Sequence, residues 1–264
     1  MIKTQLFDLT DRVAVVSGGA SGMGRSIAIA LAEHGADVMI ADLNHDGARR
    51  TCERIESIGR KGVAIACDVS KPESIVELFA LLDREFGRID FLANVAGEGT
   101  TAKPEEMPLH VVMRVFQNLV FGRFVMCQEA GRRMLKQERG SILNIGSLAS
   151  TTALGRGHVA YSMAMGAVVQ LTRELSTEWA RRGVRVNAIL PAQVLNPGLE
   201  ARMAADPSLR AKFLSGIPRG RLGEPDDIRG LAVLLASDAS SWISGALIPM
   251  DGGNLALNAG GTIG

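Results

Sequence analysis

A regular alternation of short β-branched runs with longer helical stretches constrains this chain more than any other feature. The runs are Arg12 to Ser17, Asp37 to Asp42, Val63 to Cys67, Ile89 to Asn94, Ser141 to Ile145, Val184 to Leu190 and Ala246 to Met250. Between them, Ile27, Ala28, Leu31 and Ala32 form an apolar helical stripe ahead of Gly35, and Ile75, Leu78, Phe79 and Leu82 form another ahead of Gly87. When strands alternate with helices, right-handed crossovers join parallel neighbours, and helices come to cover both faces of one sheet. The pattern therefore predicts an α/β fold of the Rossmann type, a doubly wound parallel sheet. With 264 residues, 47% of them hydrophobic, the chain can bury such a core as a single domain over residues 1–264. The stretch 254–264, with Gly260 and Gly261, reads as a flexible tail that orders only at a subunit contact.

Charge narrows the partners. Lys and Arg total 29 against 28 Asp and Glu, a net charge of +1, so no global field gathers nucleic acid or an anionic membrane. A small-molecule substrate suits this balance. The first residues carry acid early and lack an apolar leader segment, and no run reaches the roughly 18 apolar residues of a membrane span, so a soluble, cytoplasmic protein is expected. Cys52, Cys67 and Cys127 are odd in number and widely spaced, which points to reduced packing cysteines instead of disulfides or zinc. His34 and His45 have no partner at ligand spacing, and no metal is expected.

The first run leads directly into Ser17-Gly18-Gly19-Ala20-Ser21-Gly22-Met23-Gly24, which opens a helix. Glycines there let the backbone approach a pyrophosphate, whose charge is favoured by the free amides and dipole of the helix N-terminus. Asp42 ends the second strand, near the offset at which an acidic residue meets the adenosine ribose. A carboxylate there accepts from the 2′-hydroxyl of NAD and repels the 2′-phosphate of NADP; a solvated strand-end carboxylate is the plainer alternative. Leu43 follows instead of an arginine and Ser21 precedes Gly22, so no phosphate clamp is visible and NAD is the expected cofactor.

With these residues in place, the chain resembles the short-chain dehydrogenase/reductase family along nearly its whole length. Ser17 to Gly24 resembles the family's Thr-Gly-x-x-x-Gly-x-Gly, and Asn94-Val95-Ala96-Gly97 resembles its Asn-Asn-Ala-Gly. Asp68-Val69, Arg221-Leu222-Gly223-Glu224-Pro225 and Pro249-Met250-Asp251-Gly252-Gly253 match further landmarks in order. The resemblance implies that Asp68 and Val69 flank the adenine and that Asn94, Ala96 and Gly97 line the cofactor. It also places Val194, in the run that starts at Pro191, against the carboxamide. Asn196 stands where a threonine that contacts the cofactor usually precedes Pro197, and Ala192 replaces a glycine. A homotetramer is implied too, with the helices after Pro104 and around Tyr161 at one interface.

The same resemblance makes Ser147 the serine that polarises the substrate carbonyl and Tyr161, the one tyrosine of the chain, the proton exchanger that also borders the cofactor. The family places a lysine four residues after the tyrosine; here that residue is Met165. An ungapped reading of Arg114 to Phe124 against Arg-Val-x-x-x-Asn-x-x-Gly-x-Phe puts Leu119 at the family's asparagine, with Asn118 about 100° around the helix unless a bulge rotates it back. A laboratory Lys→Met change would explain Met165 but not Leu119. Without a cation at position 165, a phenol stays nearer its reference value of roughly 10, which costs base activation on the order of 4 kcal/mol. Glu98 reads as a substitute acid or base, a substrate contact, or a solvated loop carboxylate, while Arg156 and His158 lie in the loop before Tyr161.

These features support an NAD(H)-dependent oxidoreductase for a small alcohol or carbonyl substrate, with a reduced Ser147/Tyr161 set. Carbonyl reduction suits it better than oxidation, because a neutral phenol is already a donor. Two alternatives stay open: an NAD-binding scaffold with little turnover, and a non-redox lyase, isomerase or dehalogenase that reuses Ser147 and Tyr161.

Overall fold

A computed structural model describes residues 5–257. All seven runs form strands: β1 (Val13–Ser17), β2 (Asp37–Asp42), β3 (Gly62–Ala66), β4 (Phe91–Asn94), β5 (Gly140–Ile145), β6 (Val184–Pro191) and β7 (Leu247–Met250). They pair in parallel throughout, in the order β3-β2-β1-β4-β5-β6-β7. The helices are α1 (Gly22–Glu33), α2 (His45–Ser57), α3 (Pro72–Glu85), α4 (Leu109–Phe116), α5 (Gly122–Gln137), α6 (Val159–Trp179), α7 (Pro197–Ala205), α8 (Ser208–Leu214) and α9 (Arg229–Ala236).

Strand periodicity sends alternate side chains to opposite faces. Ala14, Val16, Val38 and Ile40 pack with Ile27 and Leu31 of α1, Ile55 of α2 and Leu235 of α9. Val13, Val15 and Met39 pack on the other face with Leu78 and Phe79 of α3 and Met126 and Ala130 of α5. Most of these side chains lose all contact with water, and each large one contributes about 1.5–3 kcal/mol through its burial. The helical stripes around Leu31 and Leu78 are therefore core, one on each face.

Boundaries move for local reasons. β4 starts two residues later than the apolar run because Asp90, 3% exposed, pairs partly through its side chain. Its amide donates to Val13 O at 2.8 Å, and its carboxylate accepts from Val13 N at 2.9 Å. β6 runs on to Pro191, which pairs with Met250. At the other end, Asn254 donates to the carbonyl of Gly216, and Leu257 N bonds Gly253 O at 3.2 Å. Residues 258–264, the remainder of the expected tail, lie outside the described residues.

The topology also says where a ligand belongs. From β1 the chain winds outward through β2 to β3, then crosses back to β4 on the other side of β1. Such a reversal opens a crevice at the carboxyl ends of the central strands. All three cysteines are free and buried. Among the described residues no helix is long and apolar enough to cross a membrane.

Candidate active site

The crevice is built first by the turn after β1. Ser17 is 2% exposed and spends its hydroxyl inside the fold, accepting from Val95 N at 3.1 Å and Ala96 N at 3.3 Å. It thereby ties β1 to the segment after β4. Gly18 is wedged in the same place, since a Cβ there would stand 2.9 Å from Ala96 N, and Gly24 packs in turn on the carbonyl of Gly18. Gly22 has a φ of +53°, and a Cβ there would meet nothing within 4 Å. Ser21, the residue before α1, makes no side-chain cap hydrogen bond, so the first amides of α1, including that of Met23, are not capped by it. Free amides at a helix N-terminus fit a pyrophosphate.

Asp42 stands at the edge of this turn. One carboxylate oxygen accepts from Ala20 N at 3.0 Å and the other from Asn44 N at 2.9 Å. Leu43 beside it is 74% exposed, with no cation in its place. Asp68, past β3, accepts from the hydroxyl and amide of Ser70 at 2.6 and 3.0 Å, bonds that hold its carboxyl below the usual range. Val69 is pinned by its carbonyl, which sits against Gly122. The far wall follows Pro191: Val194 bridges Gly223, and Asn196 caps α7 by accepting from Leu199 N at 2.9 Å while donating to Val194 O at 3.0 Å. An open helix N-terminus with a carboxylate at one end fits a dinucleotide.

Ser147 and Tyr161 lie on adjoining elements. Ser147 follows β5, is 8% exposed, and caps the short turn Leu148–Ser150 by accepting from Ala149 N at 3.2 Å. That turn packs on α6, whose first turn carries Tyr161. The tyrosine packs close to Gly99, in the loop after β4, where an added Cβ would stand 2.7 Å from Tyr161 Cδ2, and the His158 ring meets it edge-on at 6.2 Å. Burial, then the nearby Arg156 and Arg202, push the His158 imidazole below its ordinary value. Arg156 holds a left-handed backbone, φ +58°, with its guanidinium 5.1 Å from the Phe213 ring. Glu98 is exposed in the loop beside Gly99.

The two positions that the family resemblance aligns with a lysine and an asparagine are apolar. Met165 and Leu119 are each 1% exposed and share a cluster with Val115, Ala160, Ala164 and Val168, against which Tyr161 packs. Between α4 and α5 the helix opens into a single π turn, Gln117–Phe121. Gln117 Nε2 donates to Ser70 O at 2.9 Å, and Gly122 accommodates the Val69 carbonyl, so the loop after β3 holds this turn. A Cβ added at Gly97 would stand 2.3 Å from Leu119 Cδ2 and 3.2 Å from Asn118 Oδ1. Leu119 thus lies in the Met165 cluster, while the wider turn brings the Asn118 amide oxygen to the same glycine, buried and, among the described residues, without a hydrogen-bond partner.

Beneath this layer runs a polar spine. Asn94 Nδ2 donates to Asn144 Oδ1 at 3.0 Å, and Asn144 Nδ2 to Thr172 Oγ1 at 3.0 Å, so Asn94 works inside the scaffold. One residue here is not singled out by sequence reasoning. Arg123, on α5, is 4% exposed; it donates to Ile145 O and, at 3.4 Å, to Ala96 O. Its signal is a charge one helical turn past Leu119, on the stripe that continues through Met126, Cys127 and Ala130.

A family model described as enoyl-(acyl carrier protein) reductase matches residues 18–254. The D-threitol dehydrogenase of Mycolicibacterium smegmatis is 40% identical over 248 residues, 94% of each chain. The NAD-dependent glycerol dehydrogenase of Listeria innocua is 36% identical over 247 residues, 94% of this chain and 95% of that one. The solved 7α-hydroxysteroid dehydrogenase, complexed with NADH and 7-oxo glycochenodeoxycholic acid, superposes with a TM-score of 0.91 at 30% identity, covering 100% of this chain and 99% of its own. Other solved relatives hold NADP. The chain belongs to the short-chain dehydrogenase/reductase family of oxidoreductases.

Proposed function

We propose that this protein transfers hydride between NAD(H) and a small alcohol or carbonyl compound, and that its site favours carbonyl reduction. The observation that carries the cofactor reading is Asp42. Its hydrogen bond from Ala20 N puts a carboxylate at the glycine turn, with the uncharged Leu43 beside it. A ribose diol can donate to that carboxylate, whereas a 2′-phosphate is repelled by it.

The bound cofactor supplies the hydride. Ser147, already accepting from Ala149 N, has its own proton left to donate to a substrate oxygen. Tyr161 hands its phenolic proton to that oxygen as it gains charge, and is reprotonated from water afterwards. The apolar Met165/Leu119 pair offers no proton path from below, which makes the neutral phenol the ready form. Exposed apolar side chains on α4 to α6, among them Leu109, Met113, Phe121, Phe124 and Met163, support assembly as a homotetramer.

The test is NADH and NADPH oxidation with a panel of small ketones, keto acids and ketoses, together with the reverse reaction on polyols such as threitol and glycerol. Reduction is expected to exceed oxidation at neutral pH, with NADH preferred over NADPH. Tyr161→Phe is expected to lower turnover by about 10²–10⁴-fold, the usual worth of a positioned proton donor. Tight NADH binding without turnover on the whole panel would favour the scaffold reading; a preference for NADPH would overturn the role given to Asp42.

A further inference from the structure

The loop ahead of Tyr161 holds an arginine where the backbone favours glycine. Gly155, Arg156 and Gly157 all adopt the left-handed region, with φ of +63°, +58° and +75°. A side chain other than glycine is uncommon there, and such departures gather at functional sites. Gly157 is pinned by the loop after β4: its carbonyl accepts from Ala102 N at 3.1 Å, and a Cβ added to it would stand 2.6 Å from Ala102 O. The backbone that carries Arg156 is therefore fixed on its C-terminal side.

The side chain is fixed as well. Its guanidinium lies over the ring of Phe213 on α8, 5.1 Å from the centroid, and Phe213 is buried in a cluster with Leu199, Ile217 and Leu222. An aromatic face holds a cation in place while leaving its N–H edge outward. Arg156 Nε donates to Leu154 O at 3.3 Å, and among the described residues the side chain makes no other hydrogen bond and no ion pair. The two terminal nitrogens, the fork that fits an oxyanion, are left over. His158 follows two residues on, a span of at most roughly 7 Å, and its ring meets that of Tyr161 edge-on at 6.2 Å. Guanidinium, imidazole and phenol thus border one mouth. A second cation, Arg202 of α7, joins them: burial and then Arg202 push Arg156 below its ordinary value. Among the described residues no carboxylate pairs with either arginine, and Glu98 stands in the other loop, beside Gly99.

We infer that Arg156 determines specificity by taking the anionic end of the substrate, so that the carbonyl compound presented to Ser147 and Tyr161 carries a carboxylate or a phosphate ester several atoms from the reacting carbon. The inference rests on the hydride-transfer reading of the same site. Arg156 takes no part in the proton or hydride steps. Its contact is the same before and after the hydride arrives, so losing it weakens binding and spares the chemical step.

Two matched pairs test this by NADH oxidation: levulinate against its methyl ester, and dihydroxyacetone phosphate against dihydroxyacetone. The pair in which the anion is preferred names the oxyanion. Arg156→Gln is expected to raise KM for that anion about 10–100-fold, the worth of a charge-assisted hydrogen-bonded pair, with kcat little changed and the uncharged partner unmoved. Arg156→Lys should recover part of the loss. Anions turned over no better than their uncharged partners in both pairs, or a loss in Arg156→Gln that is equal for both members, overturns the inference and leaves the proposed function standing. In a protein without turnover, the same pairs are titrated calorimetrically into the protein with NADH. Tighter binding of an anion that Arg156→Gln abolishes would then overturn the proposed function and not the anion subsite; equal or absent binding overturns both.

Discussion

At the scale of single residues, the buried apolar pair Met165 and Leu119 has a stability consequence. Both side chains are sealed in one cluster with Val115 and Ala164. A lysine returned to position 165 would have to place an ammonium there without an anion, at a cost on the order of 2–4 kcal/mol. Met165→Lys alone is therefore expected to lower Tm by about 5–15 °C in a thermal melt near pH 7. Burial depresses the folded-state pKa of such a lysine, so the penalty is fully present at neutral pH and fades as pH rises toward the free value of roughly 10.4. Adding Leu119→Asn supplies an acceptor and should recover part of the loss. A Tm unchanged by Met165→Lys would mean that the site is open to water, against the burial seen at both positions.

At the scale of elements, the π turn between α4 and α5 is the piece that shapes the site. Apolar spacing over Arg114 to Phe124 reads equally well as one continuous helix, because a single added residue leaves the composition unchanged and only rotates the residues C-terminal to it. The turn is held by contacts distant in sequence: Gln117 to Ser70, and Gly122 against Val69. Gly122→Ala would put a Cβ 2.1 Å from the Val69 carbonyl oxygen, which is backbone and cannot swing aside. Its cost is expected to be at least about 1–3 kcal/mol, typical of overpacking, and to read as a Tm lowered by several degrees. NADH affinity should fall with it, since the same loop carries Asp68. Wild-type melting and binding in Gly122→Ala would show that the two elements do not depend on one another. The strands and the helices around Leu31 and Leu78 were legible, by contrast, because their period is local.

For the whole molecule, carboxylates set the response to acid. Hydrogen bonding by Arg221 holds Asp227 at about 2, against an ordinary value of 3.8, and Arg133 lowers Asp83 in the same way. For groups depressed on folding, the stabilisation is present above the unfolded value and is lost as pH falls through the folded one. Stability should accordingly drop between pH 4 and 2 in denaturant titrations. Arg221→Gln should flatten that slope by lowering stability at pH 7, modestly because the pair is partly solvated, while changing little near pH 2. A slope in this window indifferent to Arg221 would assign acid sensitivity elsewhere.

The amino-acid sequence by itself determined the layered α/β fold, the glycine turn with Asp42, the order of the site residues and the absence of a lysine after Tyr161, since each is written in residue type and short-range period. Only the tertiary structure decided that Ser17 and Asn94 spend their side chains inside the scaffold, that Leu119 meets Met165 across a π turn, and that Arg123 lies buried under the site. Those facts depend on which distant segments come into contact. A charge on an apolar stripe hints at burial, but the carbonyls it meets belong to the end of β5 and the loop after β4, and no local pattern names them.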